Sequence, residues 1–129
     1  MNHTAQASRS YLANTITNAH PGEIVVMMFD GALRFLRQAR RAMEQNAVAA
    51  AGEALSRAQA MVAELMGSVD ASVGGNLPHD LVRLYRFSME RMLTANLSRH
   101  PEELDAVTMI LEKLRDGFDG AVKQVAGKR

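Results

Sequence analysis

Histidine is the side chain in this sequence best suited to acid–base, phosphotransfer or metal chemistry near neutral pH, and the chain has His3, His20, His79 and His100. No two of them have the i, i+4 spacing that places two metal ligands on one helix face. Three flank a proline at a predicted helix start, where capping or exposure to solvent explains them. A phosphorelay bundle needs an exposed histidine in the middle of a helix, so the sequence favours neither phosphotransfer nor a metal site.

The residue sets of other catalytic sites are not apparent either. The chain has no cysteine, which excludes a thiolate nucleophile, a disulfide and cysteine metal ligands. Gly74-Gly75 lacks the strand–turn–helix context of a phosphate-binding loop. No Ser/His/Asp set and no pair of carboxylates in an apolar cleft can be recognised. We therefore expect a binding protein rather than an enzyme, with no metal and no cofactor.

Two polar residues interrupt otherwise apolar helical runs. Asp30 has Arg34 four residues further on, and it forms either an exposed ion pair or a polar contact that orients a bound peptide. Asn96 falls in the middle of an apolar arc, where a buried amide must find hydrogen-bond partners. It is either a register-fixing core residue or cap, or a hydrogen-bonding partner for the backbone of a guest. The sequence leaves both pairs of interpretations open.

The overall charge and hydropathy exclude several partner classes. The formal net charge is only +1, and the basic side formed by Arg34, Arg37, Arg40 and Arg41 lacks the surplus charge and stacking aromatics of an RNA-binding surface. We interpret it as a solvated helix face and expect no nucleic-acid partner. No apolar run of about 18 residues predicts a membrane span. The first residues lack the pattern of a secretory signal, so we expect a cytoplasmic protein.

The elements that position these residues are predicted to be helices. Pro21, Pro78 and Pro101 stand where prolines start helices, and acidic residues follow in the first turns. Four helices with short connections favour an all-α fold, an antiparallel up-down four-helix bundle. The predicted helices cover 20–46, 47–69, 78–97 and 101–126, with a loop at 70–76. The predicted parts of the chain are a flexible N-terminal arm or short capping helix at 1–19, the bundle at 20–126 and a loose basic tail at 127–129.

The first and third helices carry more apolar surface than a bundle core needs. An arc somewhat wider than about 100° is sufficient, whereas these two helices have arcs of about 200° and 220°. Apolar surface left exposed marks a partner site, such as a groove for an amphipathic helix or an extended peptide. The residues expected to contact the partner are Tyr11, Ile24, Val25, Val26, Met28, Phe29, Asp30, Leu33, Leu84, Tyr85, Met89, Leu93, Asn96 and Leu97.

Three arrangements could cover this apolar surplus besides a foreign partner alone. The N-terminal arm could cover it permanently, or could cover it until a partner displaces the arm. Tyr11 suits the role of plug, because its ring is apolar and its hydroxyl can stay in water. The surface could also be the seam of a homodimer. We expect a monomer or a weak homodimer.

The order of motifs along the chain resembles that of the flagellar secretion chaperone family FliS. An N-terminal Tyr11 precedes the run 21–24 (PGEI) and then 28–35 (MFDGALRF), which are similar to the family's signature PGEL…LYDGALRF. The resemblance covers nearly the whole chain. Further matching positions are Leu65, Asp70, Gly74-Gly75, Leu84-Tyr85 and Ala95-Asn96-Leu97.

The resemblance implies a function as well as a fold. It implies a helical bundle with an N-terminal capping arm, and a guest that is the disordered C-terminal segment of flagellin. The chaperone would stop flagellin from polymerising in the cytosol and deliver it to the flagellar type III export apparatus, with export-gate components or flagellar regulators as further partners. The sequence departs from the family pattern at His20, usually Ser, at Phe29, usually Tyr, and at Phe118, usually Trp.

Overall fold

The computed structural model describes residues 21–127, and this part of the chain is a bundle of helices without strands. The predicted all-α, antiparallel up-down bundle is confirmed. The expectations for the arm at 1–19, for Tyr11 and for Lys128 and Arg129 lie outside the described residues. The elements are α1 (Pro21–Glu44), α2 (Val48–Gly67), α3 (Leu77–Ser98), a 3-10 turn (Pro101–Leu104) and α4 (Asp105–Gly127).

The helix ends follow local signals in the sequence. Pro21 begins α1 and Pro78 lies in the first turn of α3, where the missing proline N–H has no partner to lose. The connection after α1 turns at Asn46, which has a left-handed φ of 57°, a conformation that asparagine tolerates. Arg99 ends α3 with a φ of 59° and donates its N–H to the carbonyl of Ala95 at 2.8 Å.

The start of the fourth helix differs from the prediction. Pro101 begins a single 3-10 turn, and the α-helix itself begins at Asp105. Tight turns of this kind are common at the N-terminal ends of helices. Arg40 of α1 fixes the turn, since it donates a hydrogen bond to the Pro101 carbonyl at 2.8 Å and pairs with Asp105.

The expectation that α1 leaves a wide apolar surface uncovered is wrong for most of its apolar arc. Helix α1 packs against α2 along most of its length and against α4 on its other side. Val26, Phe29 and Leu33 are therefore buried, and the half-buried Val25 and Met28 pack on the core. No exposed large apolar side chain of residues 21–127 lies on α1. Most of the wide apolar arc is covered inside the monomer because α1 has two helical neighbours.

A close approach between α1 and α2 explains the glycine of the 28–35 run. Gly31 is buried, and a Cβ atom placed on it would lie 2.5 Å from the terminal methyl carbon of Met61 on α2. The missing side chain leaves the space that Met61 fills. Gly31 thus allows α2 to pack directly on the α1 backbone.

Candidate partner-binding surface

Helix α3 retains exposed apolar side chains that the bundle does not cover. One stripe, which includes Leu81, Tyr85 and Met92, faces the core. On other sides of the same helix Leu93 and Leu97 are exposed, with 56% and 76% of their surfaces open to solvent. Of the two helices with wide apolar arcs, α3 and not α1 therefore has exposed large apolar side chains.

A groove between α3 and α4 gathers part of that surplus. These two helices make the sparsest contact of the neighbouring helix pairs, which leaves an open space of about 500 Å³ between them. Its apolar lining consists of Leu84 and Phe87 from α3 and Ile110 from α4, with Asp80 and Arg83 at the rim. We call this the α3–α4 groove. Its shape and lining suit an apolar side chain of a guest better than a small polar ligand.

A charged pair connects α3 to the turn before α4, next to Phe87 of the α3–α4 groove. Arg91 of α3 donates a hydrogen bond to Glu103 of the 3-10 turn at 3.1 Å. The same guanidinium lies over the ring of Phe87, 5.1 Å from its centroid. Arg91 therefore holds α3 close to the turn before α4 and fixes the exposed ring of Phe87 at the groove.

A second apolar cavity lies at the end of the bundle where α1 begins. This end pocket holds about 170 Å³, and its lining comes from α1, α3, α4 and the loop after α2. Burial raises the pKa of Tyr85, at its floor, to about 12. Both cavities are lined by α3 and α4, so a single extended guest could contact both. The apolar residues of the end pocket are Val25, Val69, Val73, Leu77, Pro78, Leu81, Tyr85 and Phe118.

Phe29 and Tyr85 belong to the core beneath this surface, so neither is the exposed residue that was expected, although Tyr85 lines the end pocket and its contact with a partner stays a prediction. The ring centroid of Phe29 lies 6.3 Å from that of Tyr85 and 5.5 Å from that of Phe118. Phe29 has no exposed surface and Tyr85 has 1%. The three rings join α1, α3 and α4. Phe29 and Tyr85 therefore support the end pocket from below. Val26 and Leu33 were also expected to be exposed partner contacts, and they too are buried in the core.

Asp30 pairs with a different arginine from the one expected. Its carboxylate accepts a hydrogen bond from the Nε of Arg115 on α4 at 2.9 Å, and no pair with Arg34 forms. This hydrogen bond raises the pKa of Arg115. Asp119 lies 3.6 Å from the same guanidinium. Asp30 therefore forms the exposed ion pair of its first interpretation, but with Arg115 instead of Arg34, and so links α1 to α4.

Asn96 and Met89 lie on the side of α3 that faces α2. Asn96 is exposed, which overturns the interpretation as a core residue, and it lines a pocket of about 280 Å³ with Val48 and Arg99 at the opposite end of the bundle. Met89 is half-buried, and its backbone carbonyl accepts a hydrogen bond from the Nε2 of Gln59 at 2.9 Å. Ile24 is likewise half-buried. Contact of these residues with a partner stays a prediction.

The described histidines occupy helix starts. His79 lies in the first turn of α3 and His100 precedes the 3-10 turn, and both are exposed. Within residues 21–127 no group of three or more histidine and carboxylate side chains could hold a metal ion. In the same part of the chain no helix has the length and hydropathy needed to cross a bilayer.

Sequence reasoning missed Phe87 and Ile110, which line the α3–α4 groove. Phe87 follows Leu84 by three residues, a spacing that places both on one side of a helix and could have indicated it. Ile110 gives no such signal, because the stripe of α4 looks complete without it. The groove forms only because α3 and α4 separate, which no single helix pattern records.

Comparison with known proteins agrees with this fold. The family model "Flagellar protein FliS" matches residues 3–125. The chain is 30% identical over 131 residues to the flagellar secretion chaperone FliS of Salmonella typhimurium, which covers 98% of this chain and 94% of that protein. It is 31% identical over 105 residues to the flagellar secretion chaperone FliSB of Pseudomonas aeruginosa, with 81% and 83% covered. A crystal structure of a bacterial flagellar chaperone superposes on this chain with a TM-score of 0.76 at 21% identity. The superposition covers 93% of this chain and 98% of the crystallised chain, so the two proteins share the fold. The chain belongs to the FliS family of flagellar secretion chaperones.

Proposed function

We propose that this protein is a cytoplasmic export chaperone that binds the disordered C-terminal segment of flagellin. In this role it keeps flagellin from polymerising and delivers it to the flagellar type III export apparatus. Membership of the FliS family supports the export role. The observation that carries the binding role is the α3–α4 groove, with Leu84, Phe87 and Ile110 on its walls.

The physical basis of the proposal is coupled folding and binding. A flexible guest loses chain entropy when it is ordered, at a cost of about 2–5 kcal/mol or more. Complete burial of an apolar side chain returns about 1.5–3 kcal/mol. Leu84 and Ile110 are already half-buried, so covering them in the groove contributes only part of the burial free energy of a fully exposed side chain. The guest therefore needs further anchors, which the end pocket and the exposed Leu93 and Leu97 offer.

A passive holder of this kind needs no catalytic group, nucleotide or cofactor. The proposed activity is binding alone, because apolar burial supplies its free energy. Further partners, among export components or flagellar regulators, would meet the chaperone on surfaces that the guest leaves free. Self-association through the same apolar surface is the competing proposal. Light scattering over a dilution series separates them, since a dimer that dissociates when guest is added shares its surface with the guest.

Calorimetry with a flagellin C-terminal peptide tests the proposed function. We expect the full-length protein to bind with a dissociation constant of about ten micromolar or lower. Phe87→Glu should weaken binding at least tenfold, about 1.4 kcal/mol, because it puts a charge on the groove wall. Met109→Glu is the matched control, since Met109 is also exposed, on α4, but does not line the groove.

The two variants give distinguishable outcomes. Circular dichroism must first show that both variants keep the helical content of the parent. Equal affinities for Phe87→Glu and Met109→Glu would place the guest outside the α3–α4 groove. An absence of binding by the parent protein at tens of micromolar would contradict the flagellin-binding role itself.

A further inference from the structure

The exposed face of α1 carries a line of arginines with no acidic residue among them. Arg34, Arg37 and Arg41 are exposed, and at 100° per residue they fall within about 60° of one another. No aspartate or glutamate occurs in residues 31–43. We call these three residues the arginine stripe. In a chain with a net charge of only +1, they concentrate positive charge on one helix face.

The acidic side chains around the arginine stripe are already paired with other cations. Within the described part of the chain, no acidic group lies within ion-pair distance of these three guanidiniums. The guanidinium of Arg34 lies 5.3 Å from the ring centroid of Phe35, its own neighbour. The pairs that engage the nearby carboxylates are Arg40 with Glu44 and Asp105, Arg57 with Glu53, and Arg115 with Asp30.

Folding alone does not explain this arrangement. Like charges three or four residues apart, such as Arg37 and Arg41, disfavour a helix. Only Arg41 lies in the last turn, where the helix dipole favours a cation. On α4, by contrast, Arg115, Asp119 and Lys123 alternate in sign and form ion pairs. Asp30 and Glu44, which flank the stripe on α1, are engaged by Arg115 and Arg40, and within residues 21–127 no ion pair involves the three stripe arginines themselves.

We propose that the arginine stripe docks an acidic helical segment of a partner protein. The stripe spans seven residues of helix, about 10 Å, which matches two turns of a helix with carboxylates at i, i+3 and i+7. None of its residues lines the α3–α4 groove or the end pocket. A partner on α1 can therefore bind at the same time as an apolar guest on α3 and α4.

The surroundings of the arginine stripe favour a protein over nucleic acid or membrane. The ring of Phe35 is approached by both Arg34 and Arg57, at 5.3 and 5.9 Å, so it offers no free face for a base to stack on. No large exposed apolar side chain lies on the described length of α1, so nothing there could insert into a bilayer. Recognition by charge alone predicts fast, weak and salt-sensitive binding.

Fluorescence anisotropy with a labelled synthetic peptide tests this proposal on the full-length protein. The probe is an alanine-based helical peptide with glutamates at i, i+3 and i+7, and the comparison peptide has the same composition with its glutamates spread around the helix. We expect the aligned peptide to bind more tightly, and its affinity to fall as salt rises from about 50 to 200 mM. The triple variant Arg34→Gln, Arg37→Gln and Arg41→Gln should lose at least tenfold in affinity.

A matched triple variant separates the arginine stripe from net charge. Arg86→Gln, Arg99→Gln and Lys113→Gln removes three exposed cations from α3, its end and α4, and should change the affinity by about twofold or less. Equal losses in the two triple variants, or equal binding of the two peptides, would overturn the proposal. Tighter binding of a single-stranded oligonucleotide or of phosphatidylglycerol vesicles through the same three arginines would also overturn it.

Discussion

The ring of Phe29 on α1 lies 5.5 Å from the ring of Phe118 on α4, centroid to centroid, with the two planes tilted by 34°. Offset, tilted rings at this separation attract one another beyond the effect of burial alone. Phe29 is completely enclosed, whereas Phe118 is half-buried at the end pocket. This contact is one of those that cover the apolar arc of α1 within the monomer.

Truncation of Phe29 should therefore act on stability. Phe29→Ala removes a fully buried ring, and we expect it to lower the free energy of unfolding by about 3–5 kcal/mol. Phe118→Ala should cost less than half as much, because part of that ring already contacts water. Urea denaturation followed by circular dichroism measures both. Unchanged stability of Phe29→Ala together with a loss of guest binding would mean that Phe29 contacts the guest instead.

Substitutions at Gly31 test the close approach of α1 and α2. Gly31→Ala should change the free energy of unfolding by less than about 1 kcal/mol, because the gain in helix propensity offsets a small displacement of the flexible end of Met61. Gly31→Leu should destabilise the protein by about 1–3 kcal/mol, since no rearrangement of one methyl group makes room for it. Thermal unfolding compares the two variants. Equal melting temperatures for Gly31→Leu and the parent would show that the helices are further apart.

The pKa of Tyr85 gives a prediction for alkaline pH. Burial raises it from its ordinary value of 10.0 to about 12, so the folded protein holds this proton more tightly than the unfolded chain does. The contribution of Tyr85 to stability is therefore complete below pH 10 and is lost as the pH rises from about 10 to about 12. In a Tyr11→Phe variant, which leaves one tyrosine, ultraviolet titration should give a midpoint near 12 when folded and near 10 in urea. A folded midpoint near 10 would mean that water reaches the Tyr85 hydroxyl.

The sequence predicted the helices well because their ends are local features. The helix ends depend on residues a few positions away, such as Pro21, Pro78 and the glycine pair at 74–75. The amino-acid sequence alone is therefore enough to locate these ends. The 3-10 turn at Pro101 was missed because Arg40, its partner, lies 61 residues away. Local patterns thus locate helices but not the contacts that adjust their ends.

The candidate site was harder to predict for a related reason. Periodicity measures how wide the apolar surface of a helix is, but not how many neighbours will cover it. The arc of α1 is covered on two sides, while the similar arc of α3 leaves Leu93 and Leu97 open. Asp30 pairs with Arg115, 85 residues further along the chain, rather than with Arg34 on its own helix. Pairings of this kind arise only once the helices have assembled.

Methyl nuclear magnetic resonance tests the central claim, that a flagellin segment binds in the α3–α4 groove, most directly. The chain has three isoleucines, and of the two within residues 21–127, Ile24 and Ile110, Ile110 lines the groove, so the spectrum of an isoleucine-δ1-labelled sample reports on the site. An Ile110→Val variant assigns the signal. Added flagellin C-terminal peptide should shift or broaden the Ile110 signal, and Phe87→Glu should suppress that change. Binding detected by calorimetry without any change at Ile110 would contradict the account.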